Sequence, residues 1–202
     1  NTNTPYKVEH YLEKVDGTGY EDTPYTTQNL AGITDQSVTA TSLAITGFTY
    51  NAGESIASGT VKGDGTLVLK LYYDRKDNLK VTYEYEGDIP AGVSAVPTEE
   101  THVFGETVTV ADKAVAPAGY NFVGWYRGGT SNVVEQFEMP DRDVVLRGYF
   151  KPGENTPYAV HHYLETLTDG VYETTPKVVE TGFTGTTGHT VTATPLNRFT
   201  GF

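Results

Sequence analysis

Apolar and polar residues alternate along several long stretches of this chain with the period of a β-strand. In one, Tyr6, Val8, His10 and Leu12 fall on one face, and Lys7, Glu9, Tyr11 and Glu13 fall on the other. In a second, Leu67, Leu69, Leu71 and Tyr73 face in, while Val68, Lys70, Tyr72 and Asp74 face out. In a third, Leu79, Val81, Tyr83 and Tyr85 alternate with Lys80, Thr82, Glu84 and Glu86. Val144, Leu146, Gly148 and Phe150 share a face in a fourth. Such runs predict half-buried strands of mostly antiparallel sheets. Shorter strands are predicted over Tyr25–Leu30, Ser37–Thr41, Gly105–Val110 and Ala118–Tyr126. AGESIASG (Ala52–Gly59) breaks the alternation and reads as a short helix or an irregular loop. DGTGY (Asp16–Tyr20), GDGTL (Gly63–Leu67), GGTSN (Gly128–Asn132) and the MPD of Met139–Asp141 read as turns.

The pattern recurs along the chain. NTPYKVEHYLE (Asn3–Glu13) returns as NTPYAVHHYLE (Asn155–Glu165), an offset of 152 that holds through Pro24 and Pro176. TDQSVTAT (Thr34–Thr41) then matches TGHTVTAT (Thr187–Thr194), and ITGF (Ile45–Phe48) matches FTGF (Phe199–Phe202). Two single-residue insertions account for the drift. The organisation is A–B–A′: module A over residues 3–74, a different module B over 78–151, and a shorter second copy of A over 155–202. YDRKDN (Tyr73–Asn78) and KPGENTP (Lys151–Pro157) are short polar linkers, from which independent beads in an elongated rod are expected. The third module has no counterpart of the Leu67–Arg75 run. It should be partly disordered, or its open sheet edge should be completed by strand pairing with a neighbouring chain.

Composition narrows the class. Tyr number 15 and Gly 22 against one Trp and one Met, which suits pleated surfaces punctuated by turns. The 26 acidic and 14 basic residues leave a net charge of −12, which repels phosphate backbones and anionic lipid, so neither nucleic acid nor a membrane surface is expected as a partner. No apolar run is long enough to span a bilayer, and no membrane insertion is expected in this segment. The absence of cysteine rules out disulfides, a thiol nucleophile and a Cys-ligated zinc. With neither signal peptide nor sorting signal visible, the sequence reads as a piece of something longer.

Candidate chemistry is sparse. His161 and His162 are adjacent, but neighbouring strand residues point to opposite faces and cannot grip one metal. His10 and His162 lie with apolar neighbours, as core histidines do. The acidic stretches Glu13–Asp22, Pro97–Glu100 and Met139–Asp143 carry paired carboxylates without a cleft for glycosidase work. Weak calcium at one of these loops stays open. Gly-rich turns lack the phosphate-cradling spacing, and no nucleophile elbow is present. Trp125 reads as core against Tyr120 and Phe122 rather than as a sugar platform. The outward tyrosines Tyr11, Tyr72 and Tyr149 are the better candidates for glycan contact, with cross-strand pairing as the alternative. No catalytic residue, metal ligand or cofactor is expected.

Module B resembles the Listeria–Bacteroides repeat family, the internalin B-repeat type, through KVTYEYEG, GETVTV, PAGYNFVGWY and DVVLRGYF in that order. It is also similar to streptococcal tandem surface repeats, on Phe122, Gly124, Trp125, Met139, Pro140, Asp141 and Asp143. Module A resembles mucin-binding-protein repeats through VEHYLEKVDGTGY, VTAT, ITGFTYN and SGTVKGDGTLVLKLYY. These resemblances imply a β-rich α+β fold of small β-grasp-like (ubiquitin-like) modules with at most one short helix. They imply a non-catalytic stalk of a Gram-positive cell-surface adhesin, extracellular and wall-attached through regions outside this segment. Host mucin or glycans, bound weakly and multivalently, are the implied partners. A ligand-free spacer, or accessory modules of a secreted carbohydrate-active enzyme, are the alternatives.

Overall fold

The computed structural model describes residues 1–128 and 132–198. Most of the GGTSN turn and the FTGF match therefore lie outside the described residues. The strands are β1 (Thr4–Leu12), β2 (Thr26–Gly32), β3 (Ser37–Thr39), β4 (Phe48–Ile56), β5 (Ser58–Thr60), β6 (Val68–Arg75) and β7 (Leu79–Tyr85). They continue with β8 (Glu100–His102), β9 (Thr107–Thr109), β10 (Tyr120–Arg127), β11 (Gln136–Glu138), β12 (Val144–Pro152), β13 (Thr156–His162) and β14 (Val178–Gly185). Among the described residues there is no helix, so the α+β expectation is corrected to all-β. The chain forms two compact units: Asn1–Glu84 with Pro97–Asp112 and Trp125–Arg147, and Tyr85–Val96 with Lys113–Gly124 and Gly148–Phe202.

In the first unit, module A is a four-stranded sheet in the order β2-β1-β6-β4. β1 pairs antiparallel with β2 and parallel with β6, with Lys7 opposite Val68 and Leu12 opposite Tyr73. The first and last strands of the module are thus neighbours. One face of the sheet carries the core of Val8, Leu69, Leu71 and Tyr73. The short β3–β5 ladder and Leu43, Ile45 and Phe48 cover it. The alternation in β1 and β6 produces this face directly, because residues two apart along a strand point the same way.

The helix-or-loop expectation for Ala52–Gly59 is corrected to strand, since β4 runs through Ile56 and β5 follows at once. The physical reason is a bulge held by side chains. Between Asn51 and Ile56 the pairing of β4 with β6 slips. There the Asn51 Oδ1 accepts from the N–H groups of Gly53 and Glu54 at 2.9 and 3.1 Å. The Ser55 hydroxyl donates to the Asn51 carbonyl at 2.6 Å and accepts from Tyr72 N–H at 2.9 Å, so a side chain stands in for a ladder carbonyl.

The link from β6 to β7 is clamped. Arg75 donates from Nε to the Glu13 carbonyl at 2.9 Å and from Nη1 to the Phe104 carbonyl at 2.9 Å. Its guanidinium also lies 5.0 Å from the Phe48 ring centroid. Phe48 meets Phe104 edge-on at 5.6 Å, and Phe104 N–H donates to the Lys76 carbonyl at 2.8 Å. The short polar linker YDRKDN is thus held, within the first unit, by directed contacts.

Module B supplies the sheet β10-β12-β7-β8 and the small β9–β11 ladder. Contacts along β7 and β12 and their flanks recur at a constant separation of 63 in sequence: Lys80 N–H donates to the Asp143 carboxylate, Arg147 to Glu84 and Tyr149 to Glu86. A constant difference rather than a constant sum marks parallel strands, so this module also sets its first and last strands side by side. In the first unit Val81, Val108, Trp125, Met139 and Leu146 are fully buried.

The second unit contains the repeat A′ as the two-stranded β13–β14 sheet. It reproduces the start of module A in detail. The bridge of Glu13 with Tyr20 recurs as Glu165 with Tyr172, and the hydroxyl contact of Thr4 with Thr34 recurs as Thr156 with Thr187. One of the two insertions becomes a β-bulge: register slips between Tyr158 and Val160, opposite Gly182, which takes φ +85°. Thr190–Thr194, the match of the VTAT strand, is not a strand here.

Candidate functional site

The tyrosine candidates divide between two places. In the first unit Tyr11 and Tyr72 stack across β1 and β6 at 5.3 Å, and Tyr20 tilts onto Tyr72 at 4.5 Å. These three rings form a ladder on the face of module A opposite its core. Polar groups close both ends. Tyr11 donates to Glu9 Oε2 at 2.6 Å, and Lys70 Nζ lies 5.4 Å from the Tyr11 ring centroid. Tyr20 donates to Asp74 Oδ1 at 2.5 Å, while Asn51 Nδ2 donates to Asp74 Oδ2 at 2.8 Å. The Glu9 carboxylate pushes the Tyr11 hydroxyl up to about 12, since ionising it would set two negative charges together. Burial and then Asp74 push Tyr20 up as well.

Tyr11 was expected to face outward for glycan contact; it does lie on the face opposite the core, but it is only 8% exposed there. Its neighbours on the polar face are themselves aromatic, so that face has a layer of its own. Tyr72 is half-buried and central in the ladder. Tyr149 lies in the second unit, half-buried, and donates to Glu86 Oε2 at 3.1 Å. The structure therefore brings Tyr11 and Tyr72 together with Tyr20, which alternation alone had not singled out.

The histidines also separate. His161 is exposed beside Tyr163, while His162 points the other way and meets Glu180 Oε2 through Nε2 at 2.9 Å. His10, the counterpart of His162, is fully buried, with Nδ1 2.8 Å from the Tyr73 hydroxyl. That hydroxyl in turn accepts from Leu43 N–H at 2.9 Å. Burial holds His10 below its ordinary value of 6.5, with the Gln28 side chain pulling weakly the other way. A group with a depressed folded pKa contributes stability that is complete above its unfolded value and is lost as pH falls. Module A should accordingly lose stability as the pH drops from 6.5 towards the folded pKa of His10. Urea midpoints across that range, with His10 titration followed by NMR, check this. A midpoint flat from pH 7.5 to 5 would contradict it.

One cluster was missed in the sequence. His102 sits between Glu100 at 3.3 Å and Glu106 at 3.2 Å. Its members are taken up in turn and sheet contacts. Glu106 accepts from Val103 N–H at 3.0 Å, which is the main reason its carboxyl is held down, and Tyr83 donates to Glu100 at 3.2 Å. Spacing around the Val103–Glu106 turn could have signalled it. Two further carboxylates serve turns: Asp16 accepts from Thr18, and Asp64 from Thr66, each from both amide and hydroxyl. Among the described residues no three His, Asp or Glu side chains gather as a metal-binding group. Trp125 is 2% exposed, meets Tyr83 at 5.0 Å and donates from Nε1 to the Asp112 carbonyl at 3.1 Å.

No curated protein matches the chain. Among solved structures, it is similar to streptococcal high identity repeats in tandem (SHIRT) domains 3–4 from a cell surface protein. The identity is 14%, the match covers 73% of this chain and 99% of that one, and the TM-score is 0.26. Within the chain, residues 78–154 match the family model of the divergent InlB B-repeat domain.

Proposed function

We propose that this chain is a non-catalytic repeat segment of a Gram-positive bacterial cell-surface protein, acting as a stalk that also contacts host mucin or glycans weakly and multivalently. The observation that carries the reading is the A–B–A′ duplication built around a segment that matches a B-repeat family model. Serial copies of a module add length, and they add avidity at surface density even when each contact is weak. The acidic surface favours solubility where many copies crowd together. Attachment to the wall would come through regions outside this segment.

The Tyr11–Tyr72–Tyr20 ladder supports the adhesive half. The half-buried Tyr72 and Tyr20 rings, flanked by Asp74 and Asn51, suit sugar rings, which present apolar faces and hydroxyl edges. The test is binding of the intact chain, immobilised at high density, to an array of mucin glycans and purified mucins. A signal reduced at least tenfold by Tyr72→Ala, with thermal stability retained, is expected. No signal above an inert β module at any density would reduce the function to spacing alone.

A further inference from the structure

The two module boundaries differ in sequence but are built alike. At the A–B boundary, within the first unit, Lys76 N–H donates to the Gly47 carbonyl at 2.9 Å, and the Lys76 carbonyl accepts from Phe104 N–H at 2.8 Å. At the B–A′ boundary, within the second unit, Gly153 N–H donates to the Gly119 carbonyl at 2.6 Å, and the Gly153 carbonyl accepts from Thr187 N–H at 2.9 Å. One linker residue thus bonds backward to the module it leaves and forward to the module it enters.

The groups that it meets also correspond. On the exit side, Gly47 and Gly119 hold the same turn, at φ +78° and +83°. Phe48 N–H closes the first onto the Ile45 carbonyl, and Tyr120 N–H closes the second onto the Pro117 carbonyl, each at 3.1 Å. Both glycines lead straight into a strand, β4 or β10. A Cβ on either would strike the module that follows, at the Phe104 ring or at Thr187 Oγ1. On the entry side, Phe104 and Thr187 sit in matching turns, closed from Glu106 N–H to the Val103 carbonyl at 3.1 Å and from His189 N–H to the Thr186 carbonyl at 3.0 Å. Module A carries the entry half as well, since Thr34 N–H donates to the Asn1 carbonyl at 2.9 Å.

We infer that this backbone relay is a general docking joint, in which the entry corner of a repeat takes the exit turn of a preceding repeat of either type. Its bonds run through main-chain atoms, so it reads turn shape rather than side-chain identity. Lys76 and Gly153 fill one place in it, and Phe104 and Thr187 fill another. What it asks of the sequence is small: a glycine at the exit turn, and a linker residue with a donor N–H, which proline lacks. Each type of module serves here on the exit side and on the entry side. An A-type repeat placed directly before another would therefore lock in the same way. Each boundary is a fixed corner rather than a swivel, whether or not any repeat binds a glycan.

Amide exchange and residual dipolar couplings on the isotopically labelled whole chain test this. The amides of Lys76, Phe104, Gly153 and Thr187 should exchange about tenfold or more slower than unstructured amides. One alignment tensor should fit Lys113–Gly124 together with β13. Gly153→Lys should keep both properties. Its Cβ would lie 3.0 Å from the Gly119 oxygen, and the bond can relax from 2.6 Å to the 2.9 Å seen at Lys76. Gly153→Pro should split the couplings into two tensors and leave exchange within β13 and β14 unchanged, which distinguishes an open joint from an unfolded repeat. In a chain lengthened by a second copy of residues 1–75 in front of Asn1, the Asn1 amide should be as protected as that of Lys76. Unprotected relay amides in the parent, a Gly153→Pro chain still fitted by one tensor, or an unprotected Asn1 in the lengthened chain would overturn the proposal. Equal loss of the joint in Gly153→Lys and Gly153→Pro would overturn its reading through the backbone.

Discussion

Trp125→Ala is expected to cost about 3–5 kcal/mol of unfolding free energy, the usual range for deleting a buried aromatic ring. Trp125 is the bulkiest of the fully buried side chains, and Val81, Val108, Met139 and Leu146 of the same unit are equally sealed. Truncation also strands the Asp112 carbonyl, which now accepts from the indole N–H at 3.1 Å. A module of this size holds only a few kcal/mol in total, so the loss should leave module B unfolded or nearly so at 25 °C. Urea denaturation followed by far-UV circular dichroism would show the module's transition vanish or shift to near-zero urea. A surface sugar platform would behave oppositely: stability would stay within about 0.5 kcal/mol of the parent. That outcome would remove Trp125 from the core.

Gly47→Ala should be the second large effect. Gly47 sits at φ +78°, a left-handed conformation that costs an L side chain about 1–3 kcal/mol. A Cβ there would also overlap the Phe104 ring, which packs at the corner where Arg75 reaches across. Overpacking adds about another 1–3 kcal/mol. The expected sum is about 2–6 kcal/mol, and a double variant separates its parts. With Phe104→Ala already made, the overlap is gone and Gly47→Ala should cost only the conformational share. Equal costs in both backgrounds would mean that Phe104 does not press on Gly47.

The sequence showed some of this structure plainly and other parts not at all. The faces of β1, β6 and β7 were legible because alternation of Leu, Val, Tyr and His against charge maps straight onto a pleated strand. The His10 face was legible for the same reason, and so was the duplication. The strand through Ala52–Ile56 was hidden. It depends on the Asn51 amide and the Ser55 hydroxyl replacing backbone partners, and no periodicity announces that. The polar face of β1 also misled. Tyr11 is covered by Tyr72, a residue far away in sequence, so an outward position did not mean exposure. The clamp at Arg75 escaped because linker composition says nothing of which carbonyls lie in reach. His102 between two carboxylates escaped because Glu100 and Glu106 lie on either side of it in sequence, in segments read separately.

The parallel pairing of the first and last strands has a mechanical meaning. A pull applied to the two ends of module A drags β1 and β6 in opposite directions along their length. The paired positions from Lys7 to Leu12 then resist together, in shear, and must fail almost at once. β7 and β12 place module B under the same loading. An antiparallel pair such as β13 with β14, pulled from its open ends, peels apart one rung at a time. Unfolding under load is governed by the barrier rather than by equilibrium stability. Modules A and B should therefore resist such a pull more strongly than an antiparallel pair of the same length.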